Sequence, residues 1–225
     1  IDGFTGGIDP EYEEQIIPLV LTELKGHASV LDVGCGGGRA AFGLTPPATR
    51  VVGVDHQQAM LDLFSAAATA RGVTSTTVLG DWPDVASAAP SSDVVVCHHV
   101  FYNVAALIPF ASALTEHARC RVVVELPMHH PLSSLSDAWQ HFWGLTRPSG
   151  PTAHDALRVV RDAGFAATLE EWEAPERNTG PVTDLDVQHT RIRLCLTADR
   201  DAEVRDFLET QQRGTRTTAT MWWNR

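Results

Sequence analysis

The stretch that most constrains this chain is Val30-Leu31-Asp32-Val33-Gly34-Cys35-Gly36-Gly37-Gly38-Arg39, a short apolar run that ends in an acid and then a glycine cluster. It reads as the first strand of an open α/β sheet turning sharply into a helix. Glycines at 34, 36, 37 and 38 allow positive φ and let the backbone approach a ligand without intervening Cβ atoms. A dinucleotide fingerprint, G-x-G-x-x-G/A, requires a third small residue where this chain carries Arg39, so a dinucleotide-binding oxidoreductase is the weaker reading. Asp32, two residues before the first glycine, offers nothing to a pyrophosphate and much to a cation.

The run Leu-Asp-Val-Gly-Cys-Gly-Gly-Gly resembles the first motif of the class I S-adenosylmethionine (SAM)-dependent methyltransferases. The resemblance covers roughly residues 26 to 175 and identifies no subfamily. It implies a Rossmann-like, doubly wound, mainly parallel α/β sheet of about seven strands with the last strand antiparallel and helices on both faces. It also implies SAM as cofactor, with S-adenosylhomocysteine (SAH) as product, and sets Asp32 beside the cofactor's amino-acid end over Gly34, Cys35, Gly36 and Gly38.

The periodicity along the chain agrees. A helix is expected from Pro10 to Gly26, with Asp9 as its cap, after a glycine-rich start in which Phe4 and Tyr12 are candidates for a lid. Strands are expected at 28–33, 50–55, 74–79, 93–97, 121–126 and 165–174, with a closing strand over 217–223 beside the sixth. Helices are expected at 39–44, 57–71, 105–117, 152–163 and 201–211. Residues 185–196 fit both a strand and a helix; Thr183 with Asp184 and Asp186 in the first turn favours the helix.

Acids follow the strands. Asp55 ends the second strand, 21 residues after Gly34, where a carboxylate can accept both hydroxyls of an adenosine ribose, in NAD and SAM alike. The resemblance places His56 beside it, Asp81 and Trp82 at the adenine, and Cys97 and His98 at the end of the fourth strand against the methionine portion. Open sheets bind ligands at the carboxyl ends of their strands, so these loops share one crevice.

Methyl transfer from a sulfonium mainly requires orientation and exclusion of water. A general base helps when the nucleophile is a hydroxyl or a protonated amine, and His98, His99, His129 and His130 are the candidates. Tyr102 or Asn103 could orient the acceptor instead. Residues 127–150 form an insertion rich in His and Trp, with a short helix expected over Ser133–Trp143 and Leu135, Trp139 and Phe142 inward; it is the candidate wall or lid of an acceptor pocket. No spacing of His, Cys, Asp and Glu matches a metal site.

The 225 residues suffice for a single α/β domain over 1–225. Acids exceed bases 28 to 17, a formal charge of −11, which disfavours nucleic acid as a partner. Four scattered cysteines without CxxC spacing fit a reducing compartment, and no apolar run reaches the ~20 residues of a membrane span. The expectation is a cytoplasmic enzyme, monomer or homodimer, that methylates a small molecule on oxygen or nitrogen, with no membrane partner. A SAM- or SAH-binding module without catalysis is the alternative.

Overall fold

The computed structural model describes residues 28–174, 180–211 and 216–225; the expected helix over 10–26, with Phe4 and Tyr12, lies outside them. Seven strands form one sheet in the order β3-β2-β1-β4-β5-β7-β6. They are β1 (Ser29–Val33), β2 (Arg50–Asp55), β3 (Thr74–Leu79), β4 (Ser92–His98), β5 (Ala118–Pro127), β6 (Thr168–Ala174) and β7 (Arg216–Asn224). β1 to β5 pair in parallel, and β7 enters antiparallel between β5 and β6. The expected fold class, antiparallel closing strand included, is borne out.

Strict alternation divides the core between the two faces of the sheet. Leu31, Val52, Val95, Val122 and Val124 point to one side, where α3 (Leu107–His117) and α5 (Ala153–Asp162) cover them. Val30, Val51, Val94, Val96 and Val123 point to the other, under α1 (Arg39–Phe42) and α2 (Gln58–Arg71). Such strands carry apolar residues at consecutive positions because both their faces are covered. β3 lies at the sheet edge and is accordingly Thr-rich and half exposed.

Some expected bounds shift in detail, and β6 starts at Thr168 rather than at Phe165. β5 begins at Ala118, three residues early, because α3 runs straight into it with no glycine or proline between them; the His117 ring lies within hydrogen-bond distance of the Ala113 and Ala86 carbonyls and fastens the helix end instead. α3 begins at Leu107 rather than Ala105, behind a 3-10 turn at Phe101–Asn103, with Pro109 in its first turn where a missing N–H does no harm.

The helical reading of residues 184–193 holds. α6 (Asp184–Arg193) starts at a capping box in which Thr183 Oγ1 accepts from Asp186 N while the Asp186 carboxylate accepts from Thr183 N. With α7 (Asp201–Thr210) it forms a separate apolar cluster of Val187, Leu194, Leu196 and Val204. Inside 127–150, a 3-10 turn (Pro131–Leu135) precedes α4 (Ser136–Trp143). Trp139 and Phe142 of α4 do turn inward, against α6 and α7, with Ala138 buried in the same cluster and Trp143 Nε1 donating to Leu194 O at 2.8 Å. β5 and β6 end side by side across β7, at Pro127 opposite Thr218 and Ala174 opposite Arg216. Both strands therefore end at the same carboxyl edge of the sheet.

Gly38 is fixed by packing. Its φ is +86°, and a Cβ there would stand 2.2 Å from the Phe42 ring and 2.8 Å from the Phe64 ring. Gly38→Ala should lower stability by about 1–3 kcal/mol through the left-handed backbone alone, with the ring clash added; chemical denaturation measures it, and an unchanged midpoint would contradict the assignment.

Candidate functional site

The carboxyl ends of β1, β2, β3 and β4 open into one cavity of about 1360 Å³. Its walls include Asp32, Gly34, Cys35, Gly36, Asp55, His56, Asp81, Trp82, His98 and His99, so most of the residues picked from the sequence meet in one place. Four do not line it. Gly38 packs under two phenyl rings, Cys97 of β4 is wholly buried in the core, and His129 lies in the loop after β5 with Nδ1 3.2 Å from Ser149 O. His130 lines a second cavity of about 440 Å³ that shares Tyr102 and Val104–Ala106 as a common wall with the first.

The glycine loop is clamped from below by the end of β2. Gly34 N and Cys35 N both donate to Val54 O, at 2.8 and 3.0 Å, and Gly36 N donates to Asp55 Oδ2 at 3.0 Å. Asp55 Oδ1 accepts from Gln57 N at 2.9 Å. Each carboxylate oxygen retains a further lone pair for a ligand hydroxyl. Gly36, at φ +50°, has open space where a Cβ would project. Gly34 is demanded by a neighbour, since a Cβ there would sit 2.4 Å from Val100 Cγ2 at the exit of β4. Burial, with the charges of Asp32 and Asp55, keeps the Cys35 thiol protonated, and its sulfur packs against Gly53, so this residue offers its backbone to the site.

Asp32 is 1 % exposed. Burial raises its pKa to about 7; the Ala41 N–H, donating to Oδ2 at 3.2 Å, opposes the rise, the charge of Asp55 adds to it, and Arg39 pulls it back. The carboxylate is thus held where ionisation is expensive unless a cation arrives.

At the far side of the loop stand two adjacent histidines. His98 is buried, and burial lowers its pKa to about 4 against the pull of Glu125, so its ring is neutral at physiological pH. His99 adopts a left-handed backbone, φ +60°. Its N–H donates to Glu125 O at 2.8 Å, and its Nε2 lies 2.8 Å from Glu125 Oε1. Burial alone would raise the Glu125 carboxyl, but the His99 hydrogen bond, the nearby His98 and Arg39 overcome it and hold the pKa at about 2. Arg39 Nη2 stands 3.6 Å from the same oxygen. Glu125 is not among the site residues the sequence suggests; its signal is a lone acid inside the apolar run Val122–Leu126.

Trp82 is half-buried in the wall of the large cavity, its Nε1 3.4 Å from Phe110 O and its ring edge-on to His117 at 5.0 Å, while Asp81 is exposed beside it. The His130 Nδ1 accepts from Leu132 N at 3.1 Å, which uses its basic lone pair, and the ring meets Tyr102 edge-on at 5.3 Å. Among the described residues no three His, Cys, Asp or Glu side chains are grouped to hold a metal ion, and no helix is long and apolar enough to cross a membrane.

Residues 30–122, from β1 into β5, match the family described as "Methyltransferase domain". They belong to it. The class I SAM-dependent methyltransferase resemblance seen in the motifs is borne out, and solved structures reproduce the fold over nearly the whole chain. The YcgJ protein of Bacillus subtilis superposes with a TM-score of 0.64 at 15 % identity, over 96 % of this chain and 99 % of its own. A magnesium protoporphyrin IX methyltransferase of Synechocystis with bound SAH gives 0.61 at 17 % identity, over 96 % and 82 %. A SAM-dependent methyltransferase of Archaeoglobus fulgidus gives 0.57 at 18 %, over 100 % and 97 %. No curated protein sequence matches the chain.

The buried acid gives the fold a pH signature. The Asp32 carboxyl titrates near 3.8 when unfolded and near 7 when folded, so between those values the folded state binds more protons and stability falls as pH rises, levelling off above about 7. Asp32→Asn does not ionise. It should gain about 2–3 kcal/mol on the wild type between pH 5 and pH 8 in denaturation series without ligand; a difference that stays constant with pH would contradict this environment for Asp32.

Proposed function

We propose that the protein transfers a methyl group from SAM to a small-molecule acceptor, on oxygen or nitrogen. The observation that carries this reading is the buried, cation-seeking carboxylate of Asp32 in the same cavity as Asp55 and the open side of Gly36. A ligand with a positively charged amino-acid end and a ribose diol matches that donor set. Asp32 would face the positive end, Asp55 would accept the ribose hydroxyls through its remaining lone pairs, the loop from Gly34 to Gly36 would run under the ligand, and Trp82 with Asp81 and His56 would border the nucleoside. When bound, SAM supplies an electrophilic methyl carbon, to which the acceptor's lone pair bonds as the carbon–sulfur bond breaks and SAH departs with the electron pair.

The smaller cavity suits the rest of the acceptor. Its walls are mostly apolar, from Leu126, Ala153, Ala156 and Val159, with Tyr102, His130, Thr152 and Asp155 as polar groups, a lining that favours a compact molecule with an apolar body. The segment 127–150 borders this region through His130, while Pro131 reaches the larger cavity. We take the chain as one domain, and its net charge of −11 speaks against a polyphosphate acceptor.

Calorimetry with SAM, SAH and NAD tests the reading. SAM and SAH should bind and NAD should not, and Asp55→Ala should weaken SAM by about 1–3 kcal/mol. Label from methyl-labelled SAM should appear in a low-mass product of a cell extract. Binding of NAD alone would end the proposal; SAM binding with no transfer to any extract component would favour a cofactor-binding module.

A further inference from the structure

The His99–Glu125 pair is more elaborate than packing requires. A residue other than glycine at φ +60° is strained by the order of 1 kcal/mol, and glycine would make the same turn without cost. The chain instead places an imidazole there, its backbone N–H bonded to Glu125 O and its ring Nε2 standing 2.8 Å from Glu125 Oε1. Register makes this possible, since β4 and β5 pair His98 directly with Glu125, so the next residue leaves the strand over the Glu125 side chain. A carboxylate serving structure alone would have both oxygens bonded, whereas Glu125 Oε2 has no hydrogen-bond partner among the described residues.

The tautomer follows from the carboxylate. Glu125 is ionised throughout the neutral range and can only accept, so a neutral His99 is more stable with its hydrogen on the nitrogen 2.8 Å away, facing the negative charge. That leaves Nδ1 with the basic lone pair, and no hydrogen bond from a described residue occupies it. His99 itself lines the large cavity. The charged and titratable groups around the pair are His98 from β4, kept neutral by burial, Arg39 from α1, which shares the Glu125 oxygen, and Arg216 from β7, on the same cavity wall.

We infer that Glu125 is a positioning residue that holds His99 with Nε2 protonated and Nδ1 presented to the acceptor, which makes His99 the general base for an acceptor bearing a hydroxyl or a protonated amine. The inference rests on the methyl-transfer reading above and narrows its substrate class. As the acceptor's lone pair bonds to the methyl carbon, its proton passes to Nδ1. The resulting imidazolium is neutralised by Glu125 and later releases the proton to solvent. His98, whose pKa is far below neutrality, and His130, whose Nδ1 is occupied, are poorer bases.

Nitrogen-15 NMR of histidine-labelled protein, with His99→Gln to assign the signal, reads the tautomer without any acceptor. His99 should carry its proton on Nε2 in the wild type and in Glu125→Asp, and lose that bias in Glu125→Gln. Methyl transfer to the labelled extract product should fall by ~10² in Glu125→Gln and in His99→Gln, no further in the double variant, and recover in part in Glu125→Asp, with SAM affinity unchanged throughout. A wild-type proton on Nδ1, losses that multiply in the double variant, or SAM affinity falling in step with rate would each overturn the pair while leaving the methyltransferase reading in place. A wild-type protein that binds no SAM would overturn both.

Discussion

A carboxylate shut away from water is the condition on which this structure turns. Asp32 sits in the middle of the sheet, on the strand flanked by β2 and β4, and its neighbours do only part of the work of stabilising its charge. The second acid, Asp55, is spent on holding the glycine loop against the end of β2, through Gly36 N, while Val54 O holds Gly34 and Cys35. The loop is therefore rigid before any ligand arrives, so little ordering entropy need be lost on binding. One acid shapes the cradle, and the other waits for charge.

Everything else keeps that arrangement in register. The alternating apolar residues of β1, β2, β4 and β5 lock the strands against helices on both faces, and a slip of one position would turn Asp32 into a hydrophobic layer. Gly34 and Gly38 serve the same end from opposite sides. The first admits Val100 from the exit of β4, and the second admits the Phe42 and Phe64 rings under the loop. The third apolar cluster, among α4, α6 and α7, builds a helical addition from the two segments that leave the sheet beside the site.

Much of this could be read from the amino acids. Fully buried parallel strands betray themselves by consecutive apolar residues, glycines with positive φ by their clustering, and helix starts by Thr152 with Asp155 and Thr183 with Asp186. What stayed hidden depended on distant pairing. That Glu125 lies opposite His98, and so beneath His99, is a fact of β4–β5 register; no local pattern encodes it. Gly38 looked like a ligand-facing glycine because its conformation is the same whether the space beside it holds a cofactor or a phenyl ring. The inward residues of α4 were visible as an apolar stripe, but their partners lie 40 to 70 residues later, in α6 and α7, so the stripe alone did not name them.

Counting protons on ligand binding tests the central claim most directly. Calorimetry of SAM binding at pH 6 in buffers of different ionisation enthalpy gives the number released per ligand. With the Asp32 pKa at about 7, a cation seated beside it should expel close to one proton from the wild type and none from Asp32→Asn. SAM binding without proton release, or with the same release from both proteins, would contradict the account.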